Sequence, residues 1–227
     1  MTKSQFFRSA ILALAVFLAG CSTANQKLRT SDYRGVIRVA CVGDSITYGA
    51  GVENRIENNY PRVLGNLLGP GFETRNFGVS GATLLKKGDK AYWTQPEFVK
   101  VGAFKPNAVV IKLGTNDSKP QNWGFRENFA DDLAEMIDYF RDLPSKPKVW
   151  VCLPVPVYET RWGINEPVVY GEIIPVIRWV AREKRVPVID LHNALSERSE
   201  LFPDRIHPNA AGAAIIAATV KSALVEN

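Results

Sequence analysis

The chain has 227 residues, 46% of them hydrophobic and 22% charged, fractions near the globular average that exclude a disordered polymer and a multi-span membrane protein. The length suits one ordinary domain with room for a sizeable core. A formal charge of +5 comes from basic residues that are scattered rather than clustered, so no nucleic-acid partner is expected.

Lys3 and Arg8 precede an apolar run, Ala10 to Leu18, closed by Leu18-Ala19-Gly20-Cys21. The run is too short for a bilayer core of about 30 Å, so residues 1–20 read as an export signal. The ending resembles a bacterial lipobox, which implies acylation of Cys21, an exported lipoprotein at the periplasmic or cell surface, and contact with the membrane through that lipid alone. Residues 21–35 are polar and without periodicity, which suits a tether, and the folded domain is expected over 36–227. Cys41 and Cys152 lie inside apolar runs, where free cysteine behaves as a small hydrophobe.

From Val36 onward, short β-rich runs recur at Val36–Val42, Phe72–Phe77, Ala108–Leu113, Lys148–Leu153 and Val186–Ile189. Helix-like segments separate them: about Tyr60–Leu68, Phe125–Leu143, Val168–Lys184 and Asn209–Val225. The second carries an i, i+3, i+4 stripe of Phe129, Leu133, Met136, Ile137 and Phe140. Alternation of this kind predicts an α/β fold, a three-layer α/β/α arrangement around a five-stranded parallel sheet. Ligands of such sheets bind outside the carboxyl ends of the strands, which directs attention to the loops there. These read Gly43-Asp44-Ser45-Ile46, Gly78-Val79-Ser80-Gly81 and Gly114-Thr115-Asn116-Asp117, and Asp204-Arg205-Ile206-His207-Pro208 precedes the last helix.

Each motif alone has an ordinary explanation. Ser45 suits a helix cap, Asn116 a turn, Gly81 a positive φ, and His207 the extended residue before a proline. Together and in this order they resemble the four sequence blocks of the SGNH (GDSL-type) hydrolases, falling on Ser45, Gly81, Asn116 and His207, with Ile46 in place of the signature leucine. The resemblance implies the flavodoxin-like SGNH fold and a serine esterase. It also implies an oxyanion hole made by the backbone amides of Ser45 and Gly81 and the side chain of Asn116.

The residue types fit that chemistry. A serine hydroxyl needs a base within hydrogen-bond reach, and His207, with a helix expected to start at Pro208, is the natural one. Asp204, three residues upstream, is placed to orient its ring, whereas His192 reads as structural. Two distant histidines without a Cys/His cluster give no reason to expect a metal, and no cofactor is expected. The stretches Asn76–Leu85 and Gly114–Trp123 resemble bacterial proteins described as sialate O-acetylesterases, which points to O-acetyl esters on a small molecule or glycan. Trp93, Trp123, Tyr158 and Trp162 are candidate stacking surfaces for sugar rings, and Asp44, Trp123 and Trp162 are the expected substrate-binding residues. The alternatives are a lysophospholipase or thioesterase with an apolar acyl groove, and a non-catalytic binding module.

Overall fold

The computed structural model describes residues 27–226; the expected export signal and the expected anchor at Cys21 lie outside them. Five strands form one parallel sheet in the order β2-β1-β3-β4-β5, with β1 Ile37–Gly43, β2 Phe72–Gly78, β3 Ala108–Lys112, β4 Lys148–Leu153 and β5 Val188–Asp190. The chain leaves β1 for β2 on one side and returns to β3 on the other. The carboxyl ends of β1 and β3 therefore bracket the switch point at which such sheets bind ligands. A single turn of helix, α1 (Ser45–Tyr48), follows β1 directly.

Because side chains alternate across a strand, the sheet buries two separate cores. Val39, Cys41, Val110, Trp150, Cys152 and Ile189 pack on one face against α2 (Tyr60–Leu68) and α6 (Ala210–Leu224). Ala40, Val42, Val109, Ile111, Val149 and Val151 pack on the opposite face against α3 (Pro96–Phe104), α4 (Phe129–Arg141) and α5 (Ile174–Lys184). This is the expected three-layer fold. Cys41 and Cys152 are free and buried, and burial pushes the Cys41 thiol up to about 12, consistent with an inert packing role.

Three local expectations are corrected. The middle of the expected 21–35 tether belongs to the fold: Leu28 is buried, pairs with Val225 and donates its N–H to the Leu224 carbonyl at 2.7 Å. The segment Val168–Lys184 is not one regular helix but Glu166–Val168, a π-helical stretch Val169–Ile173, then α5. Pro175, having no N–H, cannot bond the carbonyl four residues back. The last helix starts at Ala210, not Pro208, because the Asn209 side chain accepts from the Gly212 N–H and caps it there.

Candidate active site

The carboxyl end of β1 turns into α1 within one residue. Asp44 makes the turn by accepting the Ile46 N–H at 3.0 Å, and the approach of α1 to the sheet requires glycine at two points. A Cβ on Gly43 would lie 2.1 Å from Thr47 Oγ1 and 2.5 Å from the Lys112 carbonyl oxygen; one on Gly78 would lie 2.1 Å from the Tyr48 nitrogen. These contacts press α1 onto the strand ends and fix Ser45.

Beneath that turn lies a group that sequence reasoning missed. Lys112, the last residue of β3, is fully buried, and its Nζ donates to both oxygens of fully buried Asp44 at 3.0 and 3.1 Å and to Thr115 Oγ1 at 2.8 Å. The signal was present: a lone lysine in an apolar run of a sheet covered on both faces must be paired. Asp44, expected to bind substrate, is instead committed to Lys112 and the Ile46 N–H and has no exposed surface.

From the far end of the chain, Asp204 and His207 approach Ser45. Arg205 adopts φ +68, folding the loop back so that Asp204 Oδ1 accepts the N–H groups of Ile206 and His207 at 3.0 and 2.7 Å. The other oxygen, Oδ2, meets His207 Nδ1 at 2.7 Å, and His207 Nε2 lies 2.9 Å from Ser45 Oγ. Burial raises the Asp204 pKa, but the backbone and ring N–H donors more than offset it and hold the carboxyl below its ordinary value. An ionised carboxylate only accepts, so Nδ1 carries the ring proton and Nε2 is left to accept from the serine. Gly51 backs the ring closely: a Cβ there would sit 3.2 Å from that of His207.

The loops after β2 and β3 close the other side. Gly81 has φ +83, and the Asn116 side-chain amide donates to the carbonyl of the next residue, Ala82, at 3.1 Å, which ties Asn116 to the Gly81 loop. Asp117, which sequence reasoning also missed, ties the loops together by accepting the Leu84 and Leu85 N–H groups at 3.0 and 2.8 Å. Its burial pushes the carboxyl up to about 7 against those donors.

The aromatic candidates divide. Trp123 is buried against Phe129, with its indole N–H on Glu172 at 2.8 Å, so the expectation that it offers a stacking face is corrected: packing consumes the ring. Trp93 bonds the Leu84 carbonyl at 2.9 Å, and Tyr158 bonds the Leu195 carbonyl and packs on Phe202; both brace loops. Trp162 is different. It stands 58% exposed at the tip of a two-residue hairpin, its ring 5.8 Å from that of His207. Trp162 and Gly163 have φ +52 and +82 between Arg161 and Ile164, which bond each other's backbone at 2.9 and 3.1 Å, as a type I′ turn requires. His192 is not part of the Ser45 arrangement; it bonds Glu166 Oε1 at 2.7 Å.

Comparison with known proteins agrees with this architecture. The profile of the GDSL-like lipase/acylhydrolase family matches residues 41–215. An acetylxylan esterase of Xylanibacter ruminicola is 42% identical over 207 residues, covering 82% of this chain and 43% of the relative. A multidomain esterase of Ruminococcus flavefaciens is 24% identical over 93% of this chain and 31% of its own length. The chain thus spans less than half of either relative. Among solved structures, a carbohydrate acetylesterase from Sinorhizobium meliloti superimposes with a TM-score of 0.69 at 19% identity, over 82% of this chain and 97% of that one. The aryl esterase of M. smegmatis does so with 0.68 at 22%, over 83% and 98%.

Proposed function

The chain belongs to the GDSL-like lipase/acylhydrolase family, and we propose that it is a serine esterase that removes acetyl groups from a carbohydrate, with Ser45 as nucleophile. One observation carries the mechanism: the unbroken hydrogen-bonded chain from Ser45 Oγ through the His207 ring to Asp204.

In this reading Ser45 Oγ attacks the ester carbonyl carbon as His207 Nε2 takes its proton. Asp204 holds the ring in the productive tautomer and stabilises the imidazolium. Negative charge on the former carbonyl oxygen is met by the N–H groups of Ser45 and Gly81 and by the Asn116 amide, donors each worth about 3 to 4 kcal/mol of barrier. The tetrahedral species collapses, the C–O bond to the sugar breaks, and the sugar hydroxyl leaves with the proton from His207. Water, deprotonated by the same histidine, then attacks the acetyl-enzyme, and acetate and free Ser45 result.

Acetyl as the acyl group and sugar as the alcohol rest on the likeness to the acetylxylan esterase and on exposed Trp162 beside His207, which offers a flat surface to a ring. The test is a series of aryl esters of graded acyl length alongside acetylated sugars. Acetyl esters are expected to exceed butyryl esters in kcat/KM by about tenfold, roughly 1.4 kcal/mol of transition-state binding. Rising rates from acetyl to octanoyl, at about 0.8 kcal/mol for each buried methylene, would replace this reading with a lysophospholipase or thioesterase.

A further inference from the structure

At the carboxyl ends of β4 and β5, separate from Ser45, the fold encloses a pocket of about 450 Å³ lined by Leu153, Glu166, Tyr170, Arg178, Asp190 and His192, among others. Nothing in the ester chemistry above uses it. Its polar groups are firmly set: Glu166 Oε2 accepts the Val157 N–H at 2.7 Å while Oε1 meets His192 Nε2 at 2.7 Å, and Arg178 pairs with Asp190 at 2.7 Å. Tyr170 lines the pocket with its ring tilted 35° to that of His192, at 5.1 Å between centroids, yet remains 63% exposed. It projects from the π-helical stretch Val169–Ile173, an irregularity that recurs at functional positions.

We infer that this pocket is a binding subsite for a neutral sugar unit of the same chain that carries the acetyl ester, an inference that rests on the carbohydrate reading of the substrate. Three observations carry it. The pocket combines an open aromatic face with fixed donors and acceptors, the combination that holds a polyhydroxylated ring. Its ionic side chains are one cation, Arg178, against two carboxylates, Glu166 and Asp190, which disfavours an acidic sugar. It also adjoins the reacting centre along the chain: Trp162, over His207, and Glu166, in the pocket wall, are four residues apart, at most about 14 Å of extended backbone, within the reach of a short oligosaccharide. Exposed Trp179, on a neighbouring groove of about 650 Å³ that shares Tyr170 and Arg178 with the pocket, extends the path.

The test uses the whole chain and acetylated xylo-oligosaccharides from a single sugar to a hexamer. The hexamer should exceed the monomer in kcat/KM by about tenfold, chiefly through KM. Tyr170→Ala should reduce that ratio to about twofold or less, His192→Ala should lower it as well, and Tyr170→Phe, which keeps the ring, should preserve it. A ratio near one in the wild type, or an undiminished ratio in Tyr170→Ala, overturns the subsite while leaving the carbohydrate reading intact. If no member of the acetylated series, monomer to hexamer, is a substrate, that reading fails, and the subsite is judged by binding alone: unacetylated xylohexaose added to the Ser45→Ala protein should shift the amide resonances of Tyr170 and His192. Absence of those shifts, or tighter binding of a sialylated oligosaccharide, overturns the assignment to a neutral sugar.

Discussion

Ser45 occupies a position that three separate parts of the chain create between them, and substitutions there separate chemistry from support. On the proposed mechanism, Ser45→Ala and His207→Ala are each expected to lower kcat by about 10⁶-fold, and Asp204→Ala by about 10⁴-fold because the proposed oxyanion donors would persist. His192→Ala should retain hydrolysis of a small aryl acetate, since its partner is Glu166; steady-state rates on that ester, with folding checked by circular dichroism, decide the choice of base. Lys112→Met acts through stability. It strands the Asp44 carboxylate in the core, a loss of about 3 to 5 kcal/mol, whereas the double change Asp44→Asn with Lys112→Met should cost much less, as urea denaturation of the two would show. The hydrogen-bonded set Ser45, His207 and Asp204 was legible because its residue types are chemically distinctive. That Lys112 needs a partner was legible too, but which partner, and the role of Asp117, were not, because these depend on which loops the fold brings above and beside them.

At the level of elements, the strand-to-helix turn at Ser45 depends on close contact between α1 and the end of β2. Gly78→Ala places a methyl group against the backbone of Thr47 and Tyr48, which cannot yield as a side chain would. The variant should displace α1 and lose about 100-fold or more in kcat/KM, the usual result of misplacing a reacting group by an ångström, and fluorophosphonate labelling of Ser45 should slow in parallel. The regular elements were readable from their periods, because β3 and β4 are apolar on both faces and α4 presents one clear stripe. What escaped was set by single residues. Helix α3 opens at Pro96 and buries Phe98, Val101 and Phe104, a spacing too sparse to stand out from sequence. The π-helical stretch follows from where Pro175 falls, and the buried fate of Trp123 follows from Phe129 and Glu172 reaching it from other segments.

For the whole molecule, pH acts on stability through shifted carboxyls, of which Asp204 and Asp117 act in opposite senses. Asp204 has a depressed pKa, so its contribution is present above the ordinary carboxyl value near 3.9 and is lost as pH falls through the folded value. Asp117, raised to about 7, contributes below about 3.9 and loses that contribution as pH climbs through 7. The stability difference between wild type and Asp117→Asn should therefore shrink between pH 5 and pH 8; scanning calorimetry at both would detect it, and a constant difference would count against the shift. The lipobox reading predicts that Cys21→Ser moves the protein from the membrane fraction to the soluble one. The pairing of Leu28 with Val225 bears on how such an anchor would be used. Helix α6 begins shortly after His207 and runs 15 residues, about 22 Å, to Leu224, where Leu28 docks. Leu28 thus lies at the pole opposite Ser45. On the proposed reading, an anchor at Cys21 would leave the Ser45 face directed outward, where a long acetylated polymer could reach it without being drawn between enzyme and supporting surface.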